Sequence, residues 1–499
     1  MPRDCHATQT ERARGDRGSP VLCCLLRGED GSIAMIAIDG TRALVVGLGD
    51  TGLSLARWLK AQGADLTVSD TRAEPPALPA LRASHDDIAV HAGRLEDFGR
   101  LDFDLIAVSP GVDRRHGPLA DAAARGIPVV GDVELFAQSL NSVAGTRPPV
   151  IAITGSNGKS TVTALCGEIC AAAGRRTLVA GNIGLPVLDA WSSLMASGEV
   201  PDAVVLELSS FQLESTASLD ADAATVLNLC EDHLDRYDGM DEYAGAKARI
   251  FAGRGCQVLN REDARSRGMA LSGRDVQTFG TTAPASEREW GLLGEAGSLL
   301  AVGSQALLPR TALPLAGLHN AANALAAGAL CAAVGISHKA IIDGWQRFSG
   351  LPHRSKLINK INNIEFYDDS KGTNVGATVA ALAGMQQAVV LIAGGDGKGQ
   401  DFSPLKAAVM AKARAVVLIG RDTPRIAAAI GATVPQVRAA DMREAVHRAF
   451  ELACAGDAVL LSPACASYDM FRSYVHRGEV FAGCVADLAA AQATAGSAA

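Results

Sequence analysis

Four things are missing from this 499-residue sequence, and each removes a class of protein. No apolar run reaches the roughly 18 residues that a membrane helix needs. The short apolar piece near the start, Val21 to Leu26, is flanked by charges and too short for a secretory core. No dense basic cluster occurs, and the net charge of −8 argues against a partner bound through bulk positive charge, nucleic acid above all. None of the eleven cysteines forms a C-x-x-C pair. Cys166 and Cys170 lie four apart on one face of an expected helix, where a reduced core pair is favoured over a metal pair because no His or Cys cluster follows. No solenoid-type repeat is present. A cytoplasmic protein without membrane insertion is expected.

A fifth absence is local. The stretch VIAITGSNGKSTVTAL, Val150 to Leu165, ends like a phosphate loop of the G-x-x-x-x-G-K-[ST] type, yet Ile153 stands where its first glycine belongs.

Hydrophobic residues make up 48% and charged residues 20%, as in globular proteins, and the length suggests about three domains. Residues 1–38 lack sustained periodicity and read as an extension, either a tail without fixed structure or a start assigned too early. From residue 39, strand-like runs alternate with helical ones, as in a parallel sheet covered on both faces. Residues 39–144 form one α/β unit, and Asn141 to Pro149 read as a linker. A second unit, 145–349, opens with VIAIT and carries an antiparallel insert at about 276–310. A third, 350–499, begins with a hairpin turning at Asn362-Asn363.

Three loops can hold phosphates. GLGDTG, Gly47 to Gly52, follows a strand and opens a helix, with Asp70 after the next strand. This is the dinucleotide fingerprint, so an NAD-dependent oxidoreductase is one reading; a bare turn, or another diphosphate ligand, are others. In GSNGKS, Gly155 and Gly158 let backbone N–H groups turn inward, Lys159 adds charge, and Ser160 can hold Mg²⁺. AGGDGKGQDF, Ala393 to Phe402, places Lys398 at a glycine-rich tip, and by itself suits an exposed turn.

Polar residues stand at further strand ends. Glu207 closes an apolar strand, and a buried carboxylate there needs a partner such as Mg²⁺. Glu231, Asp232 and Asp235 around His233 should raise its pKa. Lys247 reads as a solvated helical lysine. Asp369, Ser370, Lys371 and Thr373 cluster after a strand, and Ser467 opens another strand-end loop suited to a carboxylate.

TGSNGKST, GNIG, LELSSFQLE, EDHLDRY, AKARIF, GLHNAANA, GLPHR, DDSKGTNVGAT, GGDGKG and SPACASYDMF occur in this order, from about Thr41 to the last helix. Together they resemble the Mur ligases, amide-forming enzymes of peptidoglycan precursor synthesis. GLGDTGLS followed by SDTR, with DDSKGTNVGAT, is similar to the branch that adds D-glutamate. The resemblance implies an α/β chain with Rossmann-like N- and C-terminal domains around a central phosphate-loop ATPase-like domain. It implies ATP and two Mg²⁺, with UDP-N-acetylmuramoyl-L-alanine and D-glutamate as substrates; a monomer is expected.

Residue by residue, the resemblance assigns Asp50, Thr51, Asp70, Thr71, Arg72 and Gly111 to the uridine diphosphate part. Asn182 and His233 fall to the muramoyl-alanine end. Gly155, Ser156, Asn157, Gly158, Lys159, Ser160, Thr161, Asn320, Asn323, Arg354 and Asp369 fall to ATP. Lys371, Thr373, Ser467 and Tyr474 fall to glutamate, although the family often has Phe at the last position. Glu207, His233 and a carbamylated Lys247 would hold one Mg²⁺, and Ser160 the other. Lys159, His233, Lys247 and Lys398 would be the catalytic set. The rival readings are the oxidoreductase, a non-catalytic nucleotide-binding regulator, and a sibling ligase adding L-glutamate or acting on folate.

Overall fold

The apolar runs become the strands of three main sheets, because each is a short run, two to seven residues long, bounded by glycine or polar turns. A computed structural model describes residues 23–27, 33–93, 102–143, 147–315 and 317–497. They fall into two compact units.

The first unit comprises the chain up to Pro149 together with Ala180–Pro201 and Ser209–Asp220. Its five parallel strands run in the order Ala89–Ala92, Asp65–Asp70, Arg42–Val46, Leu105–Val108, Val129–Val130. Arg42–Val46 is central, so the loop after it lies where the strand order reverses, the usual ligand crevice of such sheets. Leu105–Val108 is buried at every residue, as a strand covered on both faces must be. At Gly52 an added Cβ would sit 1.8 Å from the Gly47 carbonyl oxygen, so only glycine lets the helix Asp50–Ala61 start this close to the strand.

The two later segments are anchored by the helix Asp132–Asn141. Trp191 meets Phe136 edge-on with centroids 5.4 Å apart, and its Nε1 donates to Ser139 Oγ at 2.8 Å. The Glu134 carboxylate accepts the N–H groups of Ala217 and Ser218.

The reading of residues 1–38 as unstructured needs correction in part. Cys23–Arg27 pairs antiparallel with Ile33–Ala37, Leu25 opposite Met35. Two five-residue apolar runs with a short polar gap are enough to pair, although neither is long enough to show a periodicity. Residues 1–22 and 28–32 lie outside the described residues.

The second unit holds two sheets. The larger runs Gln305–Pro309, Leu299–Val302, Glu289–Leu293, Val276–Phe279, Cys256–Asn260, Ala223–Val226, Val150–Thr154, Ala203–Glu207, Thr177–Gly181. The antiparallel part is smaller than expected. Val276–Phe279 and Glu289–Leu293 continue the parallel run, and only the meander from Glu289 to Pro309 is antiparallel. Helices Lys159–Ala172, Leu318–Ala333 and His338–Arg347 cover one face, with Trp290 and Trp345 packed edge-on over Gly328. Cys166 and Cys170 are free and buried in this core.

The smaller sheet runs Lys356–Ile361, Ile364–Asp368, Ala458–Leu461, Val389–Gly394, Ala413–Ile419, Gln436–Arg438, parallel except for the first pair. Its opening hairpin turns at Asn362 and Asn363 as expected, with φ of 48° and 63°, the left-handed pair that a two-residue turn demands. No helix among the described residues is long and apolar enough to cross a membrane.

Candidate active site

Ile153 explains the missing glycine. It is the buried fourth residue of the strand Val150–Thr154, in register with Glu207 on one side and Thr225 on the other. The chain leaves the sheet only after Thr154, so the turn begins at Gly155. Gly158, at φ 84°, closes it against Asn323, whose Oδ1 would lie 2.6 Å from an added Cβ. Helix Lys159–Ala172 starts at the next residue, with its free N–H groups facing the loop. Asn228 braces the loop, accepting from Asn157 N at 2.8 Å and donating to Asn157 O at 3.0 Å. The half-buried Lys159 curls its amine onto the carbonyls of Gly155 and Ser156, at 2.7 and 2.8 Å.

A cavity of about 400 Å³ opens beside this loop. Asn157, Gly158, Thr161, Asn320, Asn323, Arg354 and Asp369 line it, all assigned to ATP from the sequence. Gly155, Ser156, Lys159 and Ser160 belong to the loop itself and do not line it. Lys371, expected at glutamate, lines it too. The sequence reading missed Asn228, Asp263, His319 and a row of small residues, Gly376, Ala377, Ala380 and Ala381. His319 stands inside the GLHNAANA motif and could have been singled out. Alanines on a helix carry no chemical signal.

The third domain arrives through its strand-end loops. Lys371 Nζ donates to Ser160 Oγ at 3.0 Å and lies 4.9 Å over the Tyr474 ring. Lys398 Nζ reaches Asp232 Oδ1 at 3.1 Å. Asn374 caps the helix Val375–Gly384 and bridges to Asn157 and Asp232. Buried Arg477, also missed, binds Ser370 O at 2.7 Å, Ser370 Oγ at 3.0 Å and Cys465 O at 3.1 Å. It fastens the loop carrying Lys371 and Thr373 to the loop carrying Ser467.

Burial sets the charges. Lys247 is not a solvated lysine. It is 2% exposed, donates to Thr154 Oγ1 and Gly155 O, and sits 4.7 Å over Tyr243, one helical turn away. Burial, with Lys159 adding to it, pushes its pKa well below that of an ordinary lysine. The expectation for His233 is reversed: its pKa falls to about 4. Burial dominates, and Lys398, Lys159 and Lys247 add to it, outweighing the opposite pull of Asp232. The imidazole is therefore neutral, with a lone pair available to a metal.

Glu207, 1% exposed, supplies a hard oxygen and Ser160 a hydroxyl. Among the described residues no three His, Cys, Asp or Glu converge as a ready metal cage. Glu207 and His233 would need a further oxygen donor to hold Mg²⁺, and the Lys247 amine would supply one only if carbamylated.

The first unit has its own cavity of about 510 Å³ after the central strand. Asp50, Thr51, Asp70, Thr71, Arg72, Gly111 and Asn182 line it, as assigned; His233 belongs to the second unit. Asp70 accepts from Leu48 N at 2.7 Å and from Arg72 through its backbone and guanidinium. Arg72 holds the Asp70 carboxyl down to about 2. Both oxygens are thus engaged, which removes the free acceptor pair that a nicotinamide dinucleotide's ribose would need.

Family comparisons agree with this layout. Family models match the MurD-like N-terminal domain of Mur ligases at residues 41–131, the Mur ligase middle domain at 153–331, and the Mur ligase glutamate ligase domain at 353–465. The UDP-N-acetylmuramoylalanine–D-glutamate ligase of Methylobacillus flagellatus is 56% identical, over 91% of this chain and 98% of its own. The protein of that name from Thiobacillus denitrificans is 53% identical, over 92% and 98%. Among solved structures, the UDP-N-acetylmuramate-alanine ligase of Thermotoga maritima shares the fold, with a TM-score of 0.55 at 18% identity, covering 90% of this chain and 99% of that one. Nothing supports the oxidoreductase reading of GLGDTG. With relatives this similar over nine-tenths of its length, the chain belongs to the Mur ligase family.

Proposed function

We propose that the protein is an ATP-dependent ligase that joins UDP-N-acetylmuramoyl-L-alanine to D-glutamate through an amide, in peptidoglycan precursor synthesis. The observation that carries this reading is the 3.0 Å contact of Lys371 with Ser160, which brings the third domain's polar loop onto the phosphate loop. The names of the relatives supply the substrates.

A carboxylate does not react with an amine until it has a leaving group. ATP, seated against Asn157, Thr161, Asn320, Asn323, Arg354 and Asp369, gives its γ-phosphoryl group to the alanyl carboxylate. The acyl phosphate and ADP form. The glutamate amine attacks the acyl carbon, the tetrahedral intermediate collapses, and amide and phosphate leave. Lys159 and Lys398 offset the negative charge that develops. Lys371, Thr373, Ser467 and Tyr474 orient glutamate. Asp50, Thr51, Thr71, Arg72 and Gly111 hold the uridine diphosphate part, with Asp70 orienting Arg72 and with Asn182 and His233 toward the muramoyl-alanine end. Glu207, His233 and carbamylated Lys247 would hold one Mg²⁺, with Ser160 or Thr161 at a second. When bound, these ions neutralise phosphate charge. The proposed domains are 39–144, 145–349 and 350–499, in a cytoplasmic monomer.

The test is ADP release with the substrates omitted in turn, and D- and L-glutamate in parallel. The reading requires ADP only with the muramoyl-alanine substrate and D-glutamate together. Turnover indifferent to either, preference for L-glutamate, or acceptance of a folate would replace it.

A further inference from the structure

His319 is the second residue of the helix Leu318–Ala333 and lines the nucleotide cavity. Burial alone holds its pKa below that of an ordinary histidine, which favours the neutral ring. Among the described residues its imidazole makes no hydrogen bond, while nearby Asn320 and Asn323 are engaged. Two glycine backbones close on the ring. An added Cβ at Gly317, in the central domain, would lie 2.9 Å from His319 Cε1. An added Cβ at Gly384, the last residue of the helix Val375–Gly384 from the third domain, would lie 3.0 Å from the same carbon and 3.8 Å from Gly317 Cα. The helix that ends at Gly384 also turns Gly376, Ala377, Ala380 and Ala381 to the cavity.

One ring is therefore shared by three parties: the central domain, the third domain and the nucleotide cavity. We propose that His319 couples nucleotide occupancy to closure of the third domain, its free ring nitrogens hydrogen-bonding the adenosine part of the nucleotide and its carbon edge seating Gly384. With the nucleotide bound, hydrogen bonds to the ring nitrogens hold the ring in the orientation that leaves room for the Gly384 backbone. A catalytic role is not implied, since the ring works through the position of the third domain. This rests on the cavity being the ATP site.

The test uses the full chain, a fluorescent ATP analogue and steady-state turnover. The wild type binds the analogue; if it does not, the ATP reading itself fails, separately from this proposal. His319→Ala binds it roughly tenfold more weakly. Gly384→Ala, whose Cβ crowds the ring, loses roughly tenfold in kcat with no fall in melting temperature, because alanine suits a helix better than glycine. In His319→Ala/Gly384→Ala the missing ring makes room for the Cβ, and kcat returns to the level of His319→Ala alone. Wild-type binding together with wild-type-like behaviour of both single variants overturns the proposal. So does a double variant whose losses simply multiply.

Discussion

Asn157 in the phosphate loop and Asn374 at the start of the third domain's helix exchange amide hydrogen bonds, each 3.1 Å long. Asn374 Oδ1 also caps Ala377 N at 2.9 Å. The two functions separate by mutation. Asn374→Ser keeps a capping oxygen but is too short to bridge, so kcat falls roughly tenfold while stability changes little. Asn374→Ala loses the cap as well, at about 1 kcal/mol of stability. Thermal denaturation beside steady-state kinetics distinguishes the two.

Burial, assisted by Arg354, lowers the Lys371 pKa from 10.5 to about 8. Its charge is lost as pH rises through about 8, and with it the attraction for a glutamate carboxylate that its proposed role requires. The kcat/KM for glutamate should fall on that limb, and Lys371→Arg should move the limb upward. Folding stability runs the other way. Between about 8 and 10.5 the unfolded chain binds the proton and the folded chain does not, so stability rises with pH across that window. The slope disappears in Lys371→Met, as denaturant titrations at several pH values would show.

The depressed pKa of Lys247 favours the neutral amine, the form that reacts with carbon dioxide. Activity should drop in carbon-dioxide-free buffer and return on adding bicarbonate. Lys247→Arg, always charged, should lose several orders of magnitude in kcat and ignore bicarbonate. Bicarbonate-independent wild-type activity would leave the lysine as a simple cation.

Asp70 orients Arg72 in the first unit. Asp70→Asn releases the guanidinium, and the KM for the UDP-linked substrate should rise roughly tenfold with kcat unchanged. NADH fluorescence should stay unquenched by either protein.

Gly52→Ala tests the fold of that site. Its Cβ would meet the Gly47 carbonyl at 1.8 Å, and neither backbone can retreat without moving the central strand. A loss of about 3 kcal/mol is expected in denaturant titration.

Much of the site was legible because its chemistry sits at strand ends, where an apolar run stops at an unexpected polar residue. Glu207, Asp70 and Asp369 announce themselves in this way, and Lys159 through the glycine loop before it. The sign of the His233 shift was not legible. Three acids surround it in the sequence, but the burial and the lysines that outweigh Asp232 are gathered from distant segments. The same holds for Lys247, whose helix looks solvated until it is laid against the phosphate loop. Arg477 gave no signal, since an arginine inside a helix is ordinary until its carbonyl partners are known. The grouping of 180–201 and 209–220 with the first unit depends on Trp191 meeting Phe136, which no local pattern encodes.

Ile153 has a consequence for how the enzyme could be altered. Its backbone is locked between Glu207 and Thr225, and Leu208 N donates to its carbonyl at 2.8 Å. The phosphate loop and the buried carboxylate therefore share one rigid frame, and their separation is fixed by strand register. Lengthening the loop toward the common eight-residue form would carry Lys159 and its helix away from the carboxylate, because the strand cannot follow. On the proposed roles, adaptation to a different acceptor amine would come from the strand-end loops that carry Lys371 and Ser467, which can be redrawn without moving that frame.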